Sequence, residues 1–258
     1  MSLPRLIHYC WFGPRPIPAQ ERKCVATWKH FFPSYEIVLW NESNVDLSEN
    51  EFASQAYAAG KYAFVSDFVR TKVLFELGGI YLDADVEVRR NFEELFQNVE
   101  GIVGFETRAK IGTAVMGFVP QSPIMQEFMN YYRRNEFINK KREMNTIANV
   151  TILTDILTKK GLTTDGSNQV INGVHVYPRE YFYPKKISEA VFRVTDQTVA
   201  IHRCSNSWMT DRERRRGNNK LWINIARPVL RRCKSLALNI ASEGKIREIE
   251  IKIRNILK

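Results

Sequence analysis

The sequence predicts an α/β fold, and three observations carry that expectation. Strand-like and helix-like segments alternate from the start, with a strand, helix, strand passage ahead of Asn41. A long helix-like segment then stops at Gly78-Gly79 and runs directly into a segment of strict period-two alternation. Finally, 258 residues with 44% apolar and 12% aromatic content suffice to bury one large core.

Leu6 to Gly13 (LIHYCWFG) is rich in apolar and aromatic residues and closes at Gly13-Pro14, the pattern of a buried first strand. The next stretch begins with Pro18, tolerated in a first helical turn, and stops at Pro33, outlining a helix. Tyr35 to Trp40 (YEIVLW) reads as a second strand, so the three pieces form a βαβ unit of about 30 residues and imply parallel pairing. From Gly60, the residues Phe64, Val65, Phe68, Val69, Val73, Leu74 and Leu77 recur at helical spacing. Gly78-Gly79 supplies the stop. Ile80 to Val88 (IYLDADVEV) is expected as one continuous strand, with Ile80, Leu82, Ala84, Val86 and Val88 on one side and Tyr81, Asp83, Asp85 and Glu87 on the other. Further strands are expected over Gly101 to Glu106, Thr113 to Val119, Val174 to Pro178 and Thr198 to His202, and helices over Pro123 to Arg134 and Asn149 to Lys159.

The net charge of +10 is unevenly placed. Through Asp211 the 24 basic and 24 acidic residues balance, whereas Arg212 to Lys258 sets 14 Lys and Arg against four Glu. That asymmetry divides the chain into a body, residues 1–211, and a basic extension, residues 212–258, with an anionic partner for the extension. Ile246, Ile249, Ile253 and Ile256 fall at three-four-three spacing, an amphipathic basic helix suited to an anionic membrane surface. Nucleic acid is not the expected partner, because aromatic interleaving is sparse and no nucleic-acid-binding signature is present. A packed helical extension or an oligomer contact are the alternatives. No run of 18 or more apolar residues occurs and the N-terminus does not resemble a signal peptide, so the expected place is the cytoplasm, peripheral on the inner face of the cell membrane. Cys10, Cys24, Cys204 and Cys233 form no C-x-x-C pair, which argues against a zinc ribbon or disulfide framework.

Asp83 and Asp85 are the centre of the chemical reading. Period-two geometry aims both carboxylates at one side of a strand that is apolar on the other. Adjacent carboxylates repel unless a cation or protons compensate, and a hard divalent ion is the natural compensator. Taken alone, D-x-D equally describes a solvated strand end. One helix earlier, Asp67 and Arg70 stand at i and i+3 on the polar side of an apolar helix, able to pair with each other or to present both groups to a ligand.

The string YAFVSDFVRTKVLFELGGIYLDADVEV (Tyr62 to Val88) resembles the sugar-binding D-x-D region of glycosyltransferase family 32, in which a Ser-Asp-x-x-Arg helix runs into Gly-Gly-Ile-Tyr-Leu-Asp-x-Asp. The same arrangement recurs in the large clostridial glucosylating toxins. Two further segments are similar to capsular-polysaccharide-type members: the opening IHYCWFG (Ile7 to Gly13) and the closing AIHRCSNSWM (Ala200 to Met209). The closing motif departs from the common pattern, with Asn206 in place of a Gly before Ser-Trp, which puts the ligand set around His202, Ser205 and Ser207 in question.

The resemblance implies a GT-A-type fold, a Rossmann-like mixed sheet flanked by helices, and a hexosyltransferase. Such an enzyme takes a nucleotide-sugar donor built on UDP, a glycan or lipid-linked acceptor, and a divalent ion, manganese ahead of magnesium. Carried over by position, Trp11 would stack on the donor base, although a core tryptophan is the alternative. Asp67 and Arg70 would hold the donor sugar, and Asp83 the ribose or metal. Asp85 would ligate the metal, Ser207 and Trp208 would close over the β-phosphate, and His202 would complete the metal site unless it is a core histidine. Asp67, Arg70, Asp83 and Asp85 are the expected catalytic group, with retention of anomeric configuration. A nucleotidyltransferase with paired carboxylates, or a binding module without turnover, are the competing readings.

Overall fold

A computed structural model describes residues 3–184 and 192–205. Ser207, Trp208 and the basic segment 212–258 lie outside the described residues. Strand β1 (Leu6–Cys10), helix α1 (Ala19–Phe31) and strand β2 (Glu36–Trp40) form the expected βαβ unit, β1 and β2 pairing in parallel with Ile7 opposite Ile37. Helices α2 (Glu51–Ala58) and α3 (Tyr62–Glu76) follow, then strands β3 (Gly79–Leu82), β4 (Val86–Val88), β5 (Gly101–Thr107) and β6 (Lys110–Phe118). Helices α4 (Pro123–Arg134) and α5 (Asn149–Lys159) occupy the spans expected from the sequence, and β7 (Gln169–Ile171), β8 (Val174–Tyr177) and β9 (Ala200–His202) complete the order.

Seven strands make one sheet in the order β2-β1-β3-β6-β5-β8-β7, while β4 and β9 pair separately. The sheet is mixed: β1 is parallel to β2 and β3, and β5 to β8, whereas β6 runs antiparallel to both β3 and β5 and β7 antiparallel to β8. It follows that β1, β3 and β5 run the same way and end at the same edge. Open α/β sheets bind their ligands outside the carboxyl ends of such strands.

Alternation on the strands feeds two cores, one on each face. Tyr81, Val103, Phe105 and Met116 join Phe52, Phe68, Phe128 and Leu153 from α2, α3, α4 and α5. Ile80, Leu82, Ile102 and Val115 join Trp28 and Phe32 on the α1 side. A fully buried side chain of this size contributes about 1.5–3 kcal/mol by leaving water. The α1 side is also tied by polar bonds: Trp28 Nε1–H donates to the Val86 carbonyl at 2.7 Å, and Val88 N–H donates to Thr27 Oγ1 at 3.0 Å.

Two expectations are corrected. The first strand ends at Cys10 rather than reaching Gly13. Ile80 to Val88 is not one strand, because the register with β6 ends at Leu82, Asp83 N–H makes a last bond to the Ala114 carbonyl at 2.9 Å, and Val86 N–H donates to the Asp83 carbonyl at 2.8 Å, closing a tight turn over Asp83-Ala84-Asp85. The chain then leaves the large sheet and pairs β4 with β9. Strict alternation nevertheless survives the turn: Ile80, Leu82, Ala84, Val86 and Val88 all enter the α1-side core. The glycine stop is steric. Gly78 and Gly79 have φ of 65° and 95°, and a Cβ on Gly79 would lie 2.7 Å from the Leu6 carbonyl. His8 anchors the stop, taking the Trp40 indole N–H at Nδ1 (3.2 Å) and bonding the Gly78 carbonyl through Nε2 (2.8 Å).

Candidate active site

The turn at Asp83-Ala84-Asp85 sits at the carboxyl end of β3, between α3 on one face and β9 on the other. From α3, Asp67 and Arg70 meet as the i, i+3 spacing predicts, Arg70 Nη2 lying 3.2 Å from Asp67 Oδ1. The same guanidinium places Nη1 3.1 Å from Asp83 Oδ1 and donates to the Thr113 carbonyl at 3.0 Å, while Nε donates to the Ser66 carbonyl at 3.3 Å. Arg70 also lies 4.6 Å from the Tyr81 ring centroid, and Tyr81 Oη donates to Asp83 Oδ1 at 3.1 Å. The expected polar side of α3 is therefore not a solvated face: Arg70 is only 6% exposed. A guanidinium in so dry a place is tolerable because its donors are engaged and two carboxylates flank it.

Burial pushes the Asp67 carboxyl up to about 7, against the pull of Arg70 and with the charge of Asp83 adding to the rise. Asp67 Oδ1 accepts a 2.5 Å bond from the Asn149 side-chain amide at the start of α5. Asn149 carries no local sequence signal, since nothing links a helix-starting asparagine to a carboxylate 82 positions earlier.

On the other side of the turn, Asp85 Oδ2 accepts the Ser205 N–H at 2.7 Å and Oδ1 lies 3.3 Å from His202 Nε2. Ser205 Oγ–H in turn donates to Glu21 of α1 at 2.8 Å. Burial opposes a charge on His202, but Asp85 and Cys204 hold its pKa well above the ordinary value. For Asp85, burial alone would raise the pKa; bonds from His202 and Ser205 prevail and bring it below the usual carboxylate range. Arg203, one residue on, donates Nε–H to Glu87 at 2.7 Å, fastening the end of β9 to β4.

The backbone of β6 is opened to serve this cluster. Its pairing with β5 passes from Gly112 opposite Gly104 to Gly117 opposite Ile102, so residues 113–116 leave that ladder while Val115 and Met116 stay paired to β3. Groups freed there are taken up locally: the Thr113 carbonyl by Arg70, and the Val115 N–H by Tyr183 Oη at 3.0 Å. Tyr183 stands edge-on to the His202 ring, with centroids 5.8 Å apart.

One carboxylate oxygen each from Asp83 and Asp85 and one ring nitrogen of His202 lie within 4.8 Å of one another. The set is O, O, N, two carboxylate oxygens and a ring nitrogen. These donors fit a divalent cation, with Arg70 outside them. Trp11 follows β1 on the same edge, its ring partly exposed, its Nε1–H donating to the Arg15 carbonyl at 2.7 Å and its body packed on the α1-side core. The structure thus gathers Asp67, Arg70, Asp83, Asp85 and His202, and places Trp11 on the same sheet edge. Cys10, Cys24 and Cys204 are free thiols.

Residues 18–101 match the family described as "Glycosyltransferase sugar-binding region containing DXD motif". An uncharacterized glycosyltransferase of Acanthamoeba polyphaga mimivirus is 26% identical over 223 residues, covering 80% of this chain and 84% of the viral protein. Inositol phosphoceramide mannosyltransferase 3 of Schizosaccharomyces pombe is 28% identical over 147 residues, which is 53% of this chain and 39% of the yeast protein. Among solved structures, the PaToxG glycosyltransferase aligns with a TM-score of 0.50 and 18% identity over 62% of this chain and 70% of that one.

Proposed function

We propose, for a chain that is a glycosyltransferase of the DXD type with a GT-A fold, that it moves a sugar from a UDP-linked donor to a glycan or lipid-linked acceptor and requires a divalent ion held by Asp83, Asp85 and His202. The observation that carries this reading is the convergence of those three ligand atoms beside Arg70, which offers a guanidinium next to the same carboxylates. Neither competing reading, nucleotidyltransferase or non-catalytic module, draws support from the matched region or the relatives.

Cleaving the bond from an anomeric carbon to a diphosphate leaves negative charge on the departing nucleotide. A bound manganese or magnesium ion supplies Lewis-acid stabilisation of that charge. The chain's own contribution is positional. Arg70, locked by Asp67, Asp83 and Thr113, presents a fixed positive charge that needs no reorganisation when charge develops. Asp67 and Arg70 hold the donor sugar, Trp11 stacks on the uracil, and Ser207 with Trp208 closes over the β-phosphate. Anomeric configuration is retained.

The acceptor belongs to polysaccharide or glycolipid assembly, capsular polysaccharide among the candidates. The yeast relative, named for mannosyl transfer to inositol phosphoceramide, supports a lipid-carried acceptor. Within the described residues no helix is long and apolar enough to cross a membrane. The basic residues 212–258 form a separate extension that brings residues 1–211 to an anionic surface on the cytoplasmic side. Flotation with anionic liposomes tests this: a chain truncated after Asp211 should lose the binding, and equal flotation of both forms would remove the idea.

The activity is tested by screening UDP- and GDP-sugars for binding and for nucleotide release, with and without manganese. A manganese-dependent signal with one UDP-sugar, lost in the double variant Asp83→Asn, Asp85→Asn, is the expected result. Binding without manganese, or release undiminished in that variant, would defeat the metal assignment.

A further inference from the structure

Glu106 lies at the carboxyl end of β5, on the same sheet edge as Asp83 at the end of β3 and Trp11 after β1. Its backbone is irregular at that point. Phe105 pairs with Ile111 and Thr107 with Lys110, so Glu106 is one extra residue in β5 without a partner on β6. Such a bulge breaks the ladder and re-aims the side chain, and bulges recur beside active sites. The surroundings on β5 and β6 are cut back to glycine. A Cβ on Gly104 would meet Phe182 at 2.6 Å, and one on Gly112 would meet the Tyr183 ring at 2.3 Å. Tyr183 thereby lies against the strands and reaches His202 edge-on.

The Glu106 carboxylate is half-buried, and no hydrogen bond or ion pair among the described residues engages it. The charged groups that reach it are His202, Asp83 and Arg179; burial pushes its carboxyl up, with His202 opposing. A carboxylate withdrawn from water, without a protein donor, on the sheet edge that carries Asp83 has an unfilled demand for O–H or N–H donors. Sugar hydroxyls are donors of that kind.

We infer that Glu106 is a substrate-binding residue which accepts a hydrogen bond from a sugar hydroxyl at the edge of the Asp83, Asp85 and His202 cluster. The inference rests on the proposed glycosyltransfer from a nucleotide-sugar. The hydroxyl comes either from the donor's sugar or from the incoming acceptor group, and the two are separable by experiment. A site built to bond a hydroxyl discriminates strongly, because its loss leaves a buried polar group unpaired.

The test uses the full chain with manganese, and compares the unsubstituted protein with Glu106→Ala and Glu106→Gln. Three quantities are read: affinity for UDP alone, affinity for the UDP-sugar that binds best in the screen, and the rate of UDP release from it. UDP lacks the transferred sugar, so its affinity should stay within about threefold in both variants, which also reports an intact cation cluster and fold. If the donor's hydroxyl is the partner, Glu106→Ala weakens UDP-sugar binding by about tenfold or more. If the acceptor's is, UDP-sugar binding holds and UDP release slows by about tenfold or more when a free sugar is supplied as acceptor. Either result supports the assignment, with Glu106→Gln, which keeps an acceptor oxygen, falling between. UDP-sugar affinity and release both within about threefold of the unsubstituted protein would overturn it, as would a parallel loss of UDP affinity, which marks a structural role. Failure of the unsubstituted protein to bind any UDP compound would instead sink the parent reading.

Discussion

The Asn149 side-chain amide donates to Asp67 Oδ1 at 2.5 Å, joining the start of α5 to the middle of α3 at the point where Arg70 also reaches Asp67. Asp67 is thus held from two helices, and the position of Arg70 depends on both. Removing the amide leaves a buried carboxyl short of one donor, a loss of about 1–3 kcal/mol. Asn149→Ala should lower stability in urea unfolding by that amount, and Asn149→Asp by more, because it adds a third carboxylate beside Asp67 and Asp83. Equal stability of the unsubstituted protein and Asn149→Ala would show that the contact is not coupled to the fold.

Arg70 makes its contacts through a planar fork. It touches Asp67, Asp83, two backbone carbonyls and the Tyr81 ring at once, which a lysine ammonium cannot reproduce. Arg70→Ala leaves Asp67 and the part-exposed Asp83 without their cation, and breaking a buried pair such as Arg70–Asp67 costs about 3–5 kcal/mol. Arg70→Lys keeps the charge and should cost less stability, yet slow nucleotide release by at least about tenfold, as loss of a positioned electrostatic donor does. Differential scanning calorimetry and a nucleotide-release assay on the two variants separate these effects. A lysine variant with full activity would show that charge alone suffices.

Much of this site was legible in the sequence, for identifiable reasons. Asp67 and Arg70 are one helical turn apart, so their pairing is local and periodicity reveals it. The α1 side of β3 and β4 was read correctly from alternation at Ile80, Leu82, Ala84, Val86 and Val88, although the strand itself breaks. The break was hidden because a turn that preserves side-chain parity leaves the alternation undisturbed, and only the Val86 N–H bond to the Asp83 carbonyl reveals it. Asn149, Glu21 and Glu106 were not legible. Each acts through long-range placement: Glu21 reaches Ser205 184 positions away, and the bulge at Glu106 is a register shift against β6. Helix α2 has little periodic signal because it is only eight residues long and buries just Phe52, Ala53 and Ala56.

Asp67 should give stability a pH dependence of defined sign. Its ordinary value is 3.8, and burial pushes the folded-state value up to about 7. The folded chain therefore binds this proton more tightly than the unfolded one. The resulting stabilisation is full below the unfolded value and is lost as pH rises through the folded value. Between about pH 4 and 7 the unsubstituted protein should lose stability relative to Asp67→Asn, whose amide cannot titrate, and the difference should level off above the folded value. Urea midpoints for both proteins across that range test the claim, and parallel curves would refute it.

The two aspartates of the turn should differ in their contribution to cation binding. Asp83 Oδ1 is engaged by Arg70 and by the Tyr81 hydroxyl, whereas Asp85 Oδ2 is held by the Ser205 N–H and its Oδ1 faces His202. Asp85 is thereby oriented by backbone, with Oδ1 turned toward His202, the third ligand of the set. Asp83 has its Oδ1 tied to a guanidinium, which competes with a cation for the same charge. Manganese that binds only the folded chain raises stability by about 2.7 kcal/mol at a hundredfold excess over its Kd. The thermal shift produced by manganese should therefore vanish in Asp85→Asn and only diminish in Asp83→Asn. A chelator should return the unsubstituted protein to the metal-free midpoint while leaving Asp85→Asn unmoved. Equal manganese shifts in both single variants would show that the turn does not divide the work in this way, and no shift in the unsubstituted protein would remove the cation from this cluster altogether.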